Sequence, residues 1–228
     1  MRLKRIRQVA ACVCFVLVTL LFLDFTGIVQ GWFGWLAKIQ FIPALLALNF
    51  GMVVALVLLT CVFGRVYCSV ICPLGVYQDV VSRMRGKYKR NRFRYSPALS
   101  WLRYGVLALF VAVCGVGLWA GVTGLMGWAG LLEPYSAYGR MASNLLAPFY
   151  RWGNNLLAYM AEHMDSYAFY EVEVWMKGLS VLGVALLTFV VLSVLAWRNG
   201  RTYCNTICPV GTLLGCLSRY AWLKPVID

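Results

Sequence analysis

The chain has 228 residues, 62% of them hydrophobic and only 13% charged, with a net charge of +13. Soluble domains carry about 25% charged residues, so the composition excludes an ordinary water-soluble fold and points to the bilayer. The basic residues gather in alternate connections between apolar runs, a pattern of membrane topology that excludes a nucleic-acid footprint.

In chain order, Arg2, Lys4, Arg5 and Arg7 precede a first apolar run over residues 9–23. A basic start and a short apolar run could mark a cleaved leader, but no small-x-small site follows. Trp32, Phe33 and Trp35 come next, as in an interfacial belt, and the run is predicted to be a retained helix. Residues 41–63, 104–125 and 178–197 contain no charged side chain. Each is near the roughly 20 residues that cross about 30 Å of hydrocarbon, and helices are the spanning element that satisfies its own backbone. The expected fold is all-α: a polytopic membrane protein with four transmembrane helices in two hairpins plus interfacial amphipathic helices, forming a single domain over residues 1–228.

Seventeen of the 21 basic residues lie before the first helix, between the second and third (Arg65, Arg83, Arg85, Lys87, Lys89, Arg90, Arg92, Arg94 and Arg103), or after the fourth (Arg198, Arg201, Arg219 and Lys224). The other two connections hold Lys38, Arg140, Arg151 and Lys177, together with six of the eight acids. The positive-inside rule therefore predicts both termini and the middle segment on the cytoplasmic side of a bacterial inner membrane, with the basic residues also drawn to anionic lipid.

Residues 126–177 are predicted to lie outside. Within them Met141, Leu145, Phe149, Trp152, Leu156 and Met160 recur at three- and four-residue steps, as in an amphipathic helix on the outer leaflet, kinked at Pro148. The polar, turn-rich stretch from Glu133 to Arg140 is read as an outer loop anchored by interfacial tyrosines, in preference to a quinol or partner site. No acidic or basic side chain sits within a predicted span, so no proton or ion pathway is expected.

An internal repeat carries the chemistry. Gly64-Arg65-Val66-Tyr67-Cys68-Ser69-Val70-Ile71-Cys72-Pro73-Leu74-Gly75 matches Gly200-Arg201-Thr202-Tyr203-Cys204-Asn205-Thr206-Ile207-Cys208-Pro209-Val210-Gly211 at eight of twelve positions, with an offset of 136. Each copy follows a predicted span that ends on the cytoplasmic side. Proline turns its predecessor away from α geometry and suits the first turn of a helix, so Cys72 and Cys208 are placed at helix N-termini, which favour a thiolate. Arg65 and Arg201 add positive charge nearby. In the first following helix, Leu74, Val76, Tyr77, Val80, Val81 and Met84 oppose Gln78, Asp79 and Arg83, as in an interfacial helix.

Two pairs of thiolates can supply four ligands to one centre, which suits an iron–sulfur cluster or tetrahedral zinc. A structural disulfide is disfavoured in the reducing cytoplasm. Cys12, Cys14, Cys61, Cys114 and Cys216 lie outside the repeat and are read as packing residues. With His163 as the lone histidine, bis-histidine haem is excluded. The residues alone leave three chemistries open: electron transfer through an iron–sulfur centre, thiol–disulfide exchange, and copper or zinc handling or regulation.

The doubled Gly-Arg-x-Tyr-Cys-x-x-Ile-Cys-Pro-x-Gly element resembles the membrane part of the NapH/NosR/CcoG-type polyferredoxins, which carry two CxxxCP motifs at the cytoplasmic side. The resemblance implies Cys68, Cys72, Cys204 and Cys208 as ligands of a 4Fe-4S cluster, with Arg65 and Arg201 behind them. It also implies electron transfer between the quinol pool and a ferredoxin-type partner. Such proteins continue into a cytoplasmic ferredoxin domain with two further cysteine runs. The present residues stop about where that domain would begin, so its work is expected of a further segment or another subunit.

Overall fold

The structure, a computed structural model, describes residues 2–47, 49–88, 100–121, 123–163, 170–174 and 178–223, and all its regular elements there are helical. The basic cluster at Lys89, Arg90, Arg92 and Arg94 lies outside the described residues, as do Lys177 and Lys224.

Helix α1 (Arg2–Leu23) ends at Asp24, whose carboxylate accepts hydrogen bonds from the backbone N–H groups of Thr26, Gly27 and Gln30. This cap turns the chain into three short helices, α2 (Ile28–Phe33), α3 (Trp35–Lys38) and α4 (Phe41–Leu46). Helix α5 (Phe50–Phe63) follows, its N-terminus capped by Asn49, which accepts from Met52 N at 3.3 Å. The helix expected over residues 41–63 is therefore broken in two. Asn49 competes for backbone groups and favours a cap over a helix interior, so it starts a new helix where hydropathy alone reads one run.

Gly64, at φ 72°, stops α5 in a conformation that other residues adopt at a cost. The first cysteine motif then forms a π-helical turn, Tyr67–Ile71, and Pro73 opens α6 (Pro73–Tyr88). Helix α7 (Ser100–Ala120) ends at Gly121, φ 64°, and α8 (Thr123–Leu132) packs back along it. The uninterrupted run expected over 104–125 thus ends at a left-handed glycine. After α9 (Pro134–Met141) come a π-helical turn, Ala142–Leu146, and α10 (Ala147–Glu162). Helix α11 (Leu179–Asn199), Gly200 at φ 73°, α12 (Thr202–Thr206) and α13 (Pro209–Leu217) repeat the scheme around the second motif.

Among the described residues three helices are long and apolar enough to cross a membrane, over Arg5–Leu23, Ser100–Gly117 and Leu179–Asn199. They display large apolar side chains outward, with Val111 at 60% and Leu187 at 65% exposure. Such a surface would be an association hazard in water and is the natural surface in lipid. The expected fourth span is apolar, but α5 has 14 residues, about 21 Å at 1.5 Å per residue, short of the hydrocarbon thickness.

Between the long helices two hairpins fold inward. In the first half the turn between α3 and α4 meets the first motif: Tyr67 Oη donates to Gln40 Oε1 at 2.9 Å and accepts from Phe41 N at 3.0 Å. In the second half the turn between α8 and α9 meets the second motif, where Tyr203 Oη donates to the Leu132 carbonyl at 3.1 Å. Tyr67 and Tyr203 are equivalent in the repeat, so each half has the same plan: long helix, inward hairpin, second apolar helix, motif, proline-initiated helix.

The second hairpin corrects the expected outer placement of Glu133 to Arg140. Helix α9 packs against α6 and α11, and Tyr138 shares a 2.6 Å hydrogen bond with Thr19 of α1. Small residues permit this depth: a Cβ on Gly139 would collide with the Phe22 ring. The apolar repeat over 141–160 also divides. Met141 is 4% exposed in the core, while Phe149 and Trp152, at 76% and 65%, face outward from α10. A π-helical turn, Ala142–Leu146, lies immediately ahead of Pro148 and leads into α10 through αR residues.

Candidate functional site

The four motif cysteines are brought together. Cys68, Cys72, Cys204 and Cys208 are 7%, 3%, 6% and 3% exposed and belong to one contiguous core with Tyr67, Tyr203, Leu74 and Leu214. All six pairs of these thiols lie within electrostatic range of one another.

Local sequence explains the placement. Cys72 and Cys208, each before a proline, are extended (ψ 115° and 118°) and cap the helices that begin with Pro73 and Pro209. Two residues after each proline comes a glycine, where a side chain would strike the carbonyl of the first cysteine of that motif, Cys68 or Cys204. The chain thereby curls tightly, and the amide of Gly211 donates to Cys208 Sγ at 3.3 Å, as that of Gly75 does to Cys72. Such N–H···S bonds stabilise a coordinated thiolate.

Burial works against the expectation that helix ends and arginines keep these cysteines ionised. Burial pushes Cys204 up to about 12 despite Arg201 beside it, and raises Cys68, Cys72 and Cys208 as well. Mutual repulsion of the clustered sulfurs adds to the effect at Cys72, Cys204 and Cys208. Desolvation of four adjacent groups outweighs two partly exposed guanidinium groups and a helix terminus. Burial thus favours the thiol form at these positions, and a cationic centre held there would favour the thiolate.

Among the described residues no group of three or more His, Cys, Asp or Glu side chains could hold a single metal ion. All nine cysteines are free. Of the five read as packing residues, Cys14, Cys61, Cys114 and Cys216 are partly buried, whereas Cys12 is exposed.

Arg65 and Arg201 both lie within electrostatic range of Cys68 and cross between the halves. Arg65 Nη1 donates to Asn205 Oδ1 of the second motif at 2.7 Å, whereas Arg201 forms a two-pronged ion pair with Asp79 of α6. The equivalent of Asp79 in the second repeat is Gly215, and Arg65 Nη2 lies where a Cβ on that glycine would sit. Each arginine thus reaches the same register of the opposite half, and one of the two meets a carboxylate.

Gln78, Asp79, Asn205, Tyr67, Tyr203 and Gln40 were not singled out by the sequence. The two tyrosines were visible in the repeat, but a buried hydroxyl has no signature of its own. Gln78 and Asp79 were assigned to a solvated face of α6. Instead Gln78 is fully buried and its Nε2 donates to Cys204 Sγ at 3.3 Å, while Val80 and Met84 are exposed. The helix does not sort its sides by polarity: Leu74 and Val76 are buried along with Gln78, while Arg83 is exposed along with Val80 and Met84.

A family described as a 4Fe-4S binding domain matches twice, over residues 45–91 and 181–227. Each stretch contains one cysteine motif, and the two are separated by the offset of the repeat. The match supports an iron–sulfur cluster, of the 4Fe-4S type, as the cofactor. No curated protein and no solved structure matches the chain.

Proposed function

We propose that the protein is a membrane-bound electron-transfer protein in which Cys68, Cys72, Cys204 and Cys208 together hold one 4Fe-4S cluster. The reading rests above all on the burial of these four thiols in one pocket, in a chain whose two halves each match a 4Fe-4S binding domain. The cluster would supply one-electron acceptance and donation. The chain's own residues do the rest. Gly75 and Gly211 let backbone amides approach the sulfurs, Gln78 donates to Cys204, and Arg65 and Arg201 offset negative charge. Tyr67 and Tyr203 tie the inward hairpins down over the pocket and exclude water from it.

The pocket lies after the C-terminal ends of α5 and α11. The basic residues favour that side as cytoplasmic, in a bacterial inner membrane, with α5 as a fourth, short crossing element. A centre on one side of the bilayer serves a quinol-type donor dissolved in the inner leaflet and a ferredoxin-type acceptor in the cytoplasm. The two alternatives fare less well. Thiol–disulfide exchange needs an accessible thiolate, which burial opposes at these cysteines. Copper or zinc handling would call for ligands converging on one ion.

Anaerobic purification followed by iron and sulfide analysis, absorbance and EPR tests the proposal. The expected result is about four iron and four sulfide per chain and a reducible centre. Copper, zinc or no metal in a folded preparation would overturn it.

A further inference from the structure

The α8–α9 hairpin carries a carboxyl group to an unusual place. Glu133 is 6% exposed, with Oε2 accepting from Ser136 Oγ and Oε1 buried without any hydrogen-bond partner among the described residues. An unsatisfied oxygen on a buried carboxylate is costly, so Oε1 is a ready proton acceptor. Arg140 lies within electrostatic range, yet its Nη1 and Nη2 donate to the carbonyls of Gly130 and Leu131, at 2.9 and 3.3 Å, and do not clamp the carboxylate. The other titratable groups facing Glu133 are Tyr135 of α9 and Cys114 of α7, with Tyr203 of α12 beyond Arg140.

The hairpin tip is wired to the cysteine pocket. Leu132, the neighbour of Glu133, accepts the hydrogen bond of Tyr203, and Tyr203 is the neighbour of Cys204. The first half has a neutral counterpart: Gln40 opens α4 as Glu133 opens α9, is fully buried, and accepts from Tyr67 through Oε1. The two halves therefore place an amide and a carboxyl at corresponding positions, and only the carboxyl can change its charge.

We infer that Glu133 is a proton-binding site coupled to the redox state of the cysteine pocket: Glu133 Oε1 takes up one proton when the pocket gains one electron and releases it when the electron leaves. The inference rests on the cluster reading above. The electron comes from any one-electron reductant, the proton comes from water, and one O–H bond forms at Oε1. The charge of the buried region is then the same before and after. In a low-dielectric interior an added negative charge is costly to leave uncompensated; Asp79 is held in its ion pair with Arg201, and Glu133 is the buried carboxyl among the described residues, one residue from the carbonyl that Tyr203 bonds.

The experiment is a potentiometric titration of the purified protein with dithionite across pH, joined to redox-difference infrared spectroscopy, for wild type, E133Q and E133D. In wild type the reduction equilibrium should weaken tenfold per pH unit where the carboxyl titrates, about 59 mV for one electron. A protonated carboxyl band should appear on reduction. E133Q should flatten the pH dependence and lose the band, with unchanged iron content, and E133D should restore both. If E133Q fails to fold, the wild-type infrared difference decides. A preparation without iron overturns the cluster reading and this inference with it. A loaded protein whose potential is independent of pH, or whose slope survives in E133Q, overturns this inference alone.

Discussion

At the scale of single residues, the two arginines of the repeat divide their labour unequally. Arg201 is neutralised by Asp79, while Arg65 meets the neutral Asn205. Removing positive charge near a thiolate-ligated centre lowers its reduction potential, so R65Q should lower it more than R201Q does, and D79N should raise it. Potentiometry of the three variants orders them, and equal shifts for R65Q and R201Q would refute the asymmetry. Replacing any of Cys68, Cys72, Cys204 or Cys208 with serine should remove the iron signal, whereas C12S and C61S should retain it. The four clustered cysteines were legible from sequence because a doubled motif is improbable by chance. Glu133 was not. Its side chain reads as a polar loop residue until the glycines and alanines around it are seen to let the hairpin sink inward.

At the scale of elements, the tyrosine latches set how firmly each hairpin is held. Y67F would leave both Gln40 Oε1 and the Phe41 amide without their buried partner, whereas Y203F would deprive the Leu132 carbonyl alone. An unsatisfied buried group costs about 1–3 kcal/mol, so thermal unfolding in detergent should show the larger drop for Y67F. Likewise G75A and G211A force a Cβ into a backbone carbonyl and should cost about 1–3 kcal/mol as overpacking does, with faster loss of iron on dilution. Hydropathy located the three long helices but joined α4 to α5 and α7 to α8. Apolar periodicity records what a segment avoids and is blind to the single asparagine cap or left-handed glycine that breaks it. The burial of Gln78 on α6 has the same cause: apolar periodicity does not show that a polar side chain has a buried partner, here Cys204.

At the scale of the whole molecule, the buried thiols couple acidity to stability. Their pKa values are raised in the folded chain, so cluster-free protein keeps the associated stability below the ordinary thiol value near 9 and loses it as pH rises through the raised values. Unfolding scans from pH 7 to 10 should show this loss in the cluster-free chain and its absence in the loaded protein, whose sulfurs have already given up their protons. A reporter fused near Asn155 should face the side opposite one fused after Asp228; matching sides would refute the membrane arrangement. The crossing of Arg65 to Asn205 and of Arg201 to Asp79 has a further consequence, in time rather than in space. Cys68 and Cys72 emerge from the ribosome 136 residues ahead of Cys204 and Cys208, roughly 7–27 s earlier at about 5–20 residues per second. During that interval the first motif has neither its partner sulfurs nor its partner side chains. Metal loading is therefore a late event in biogenesis, and a stall in synthesis between the two motifs leaves a chain with nothing yet to protect and nothing yet to lose.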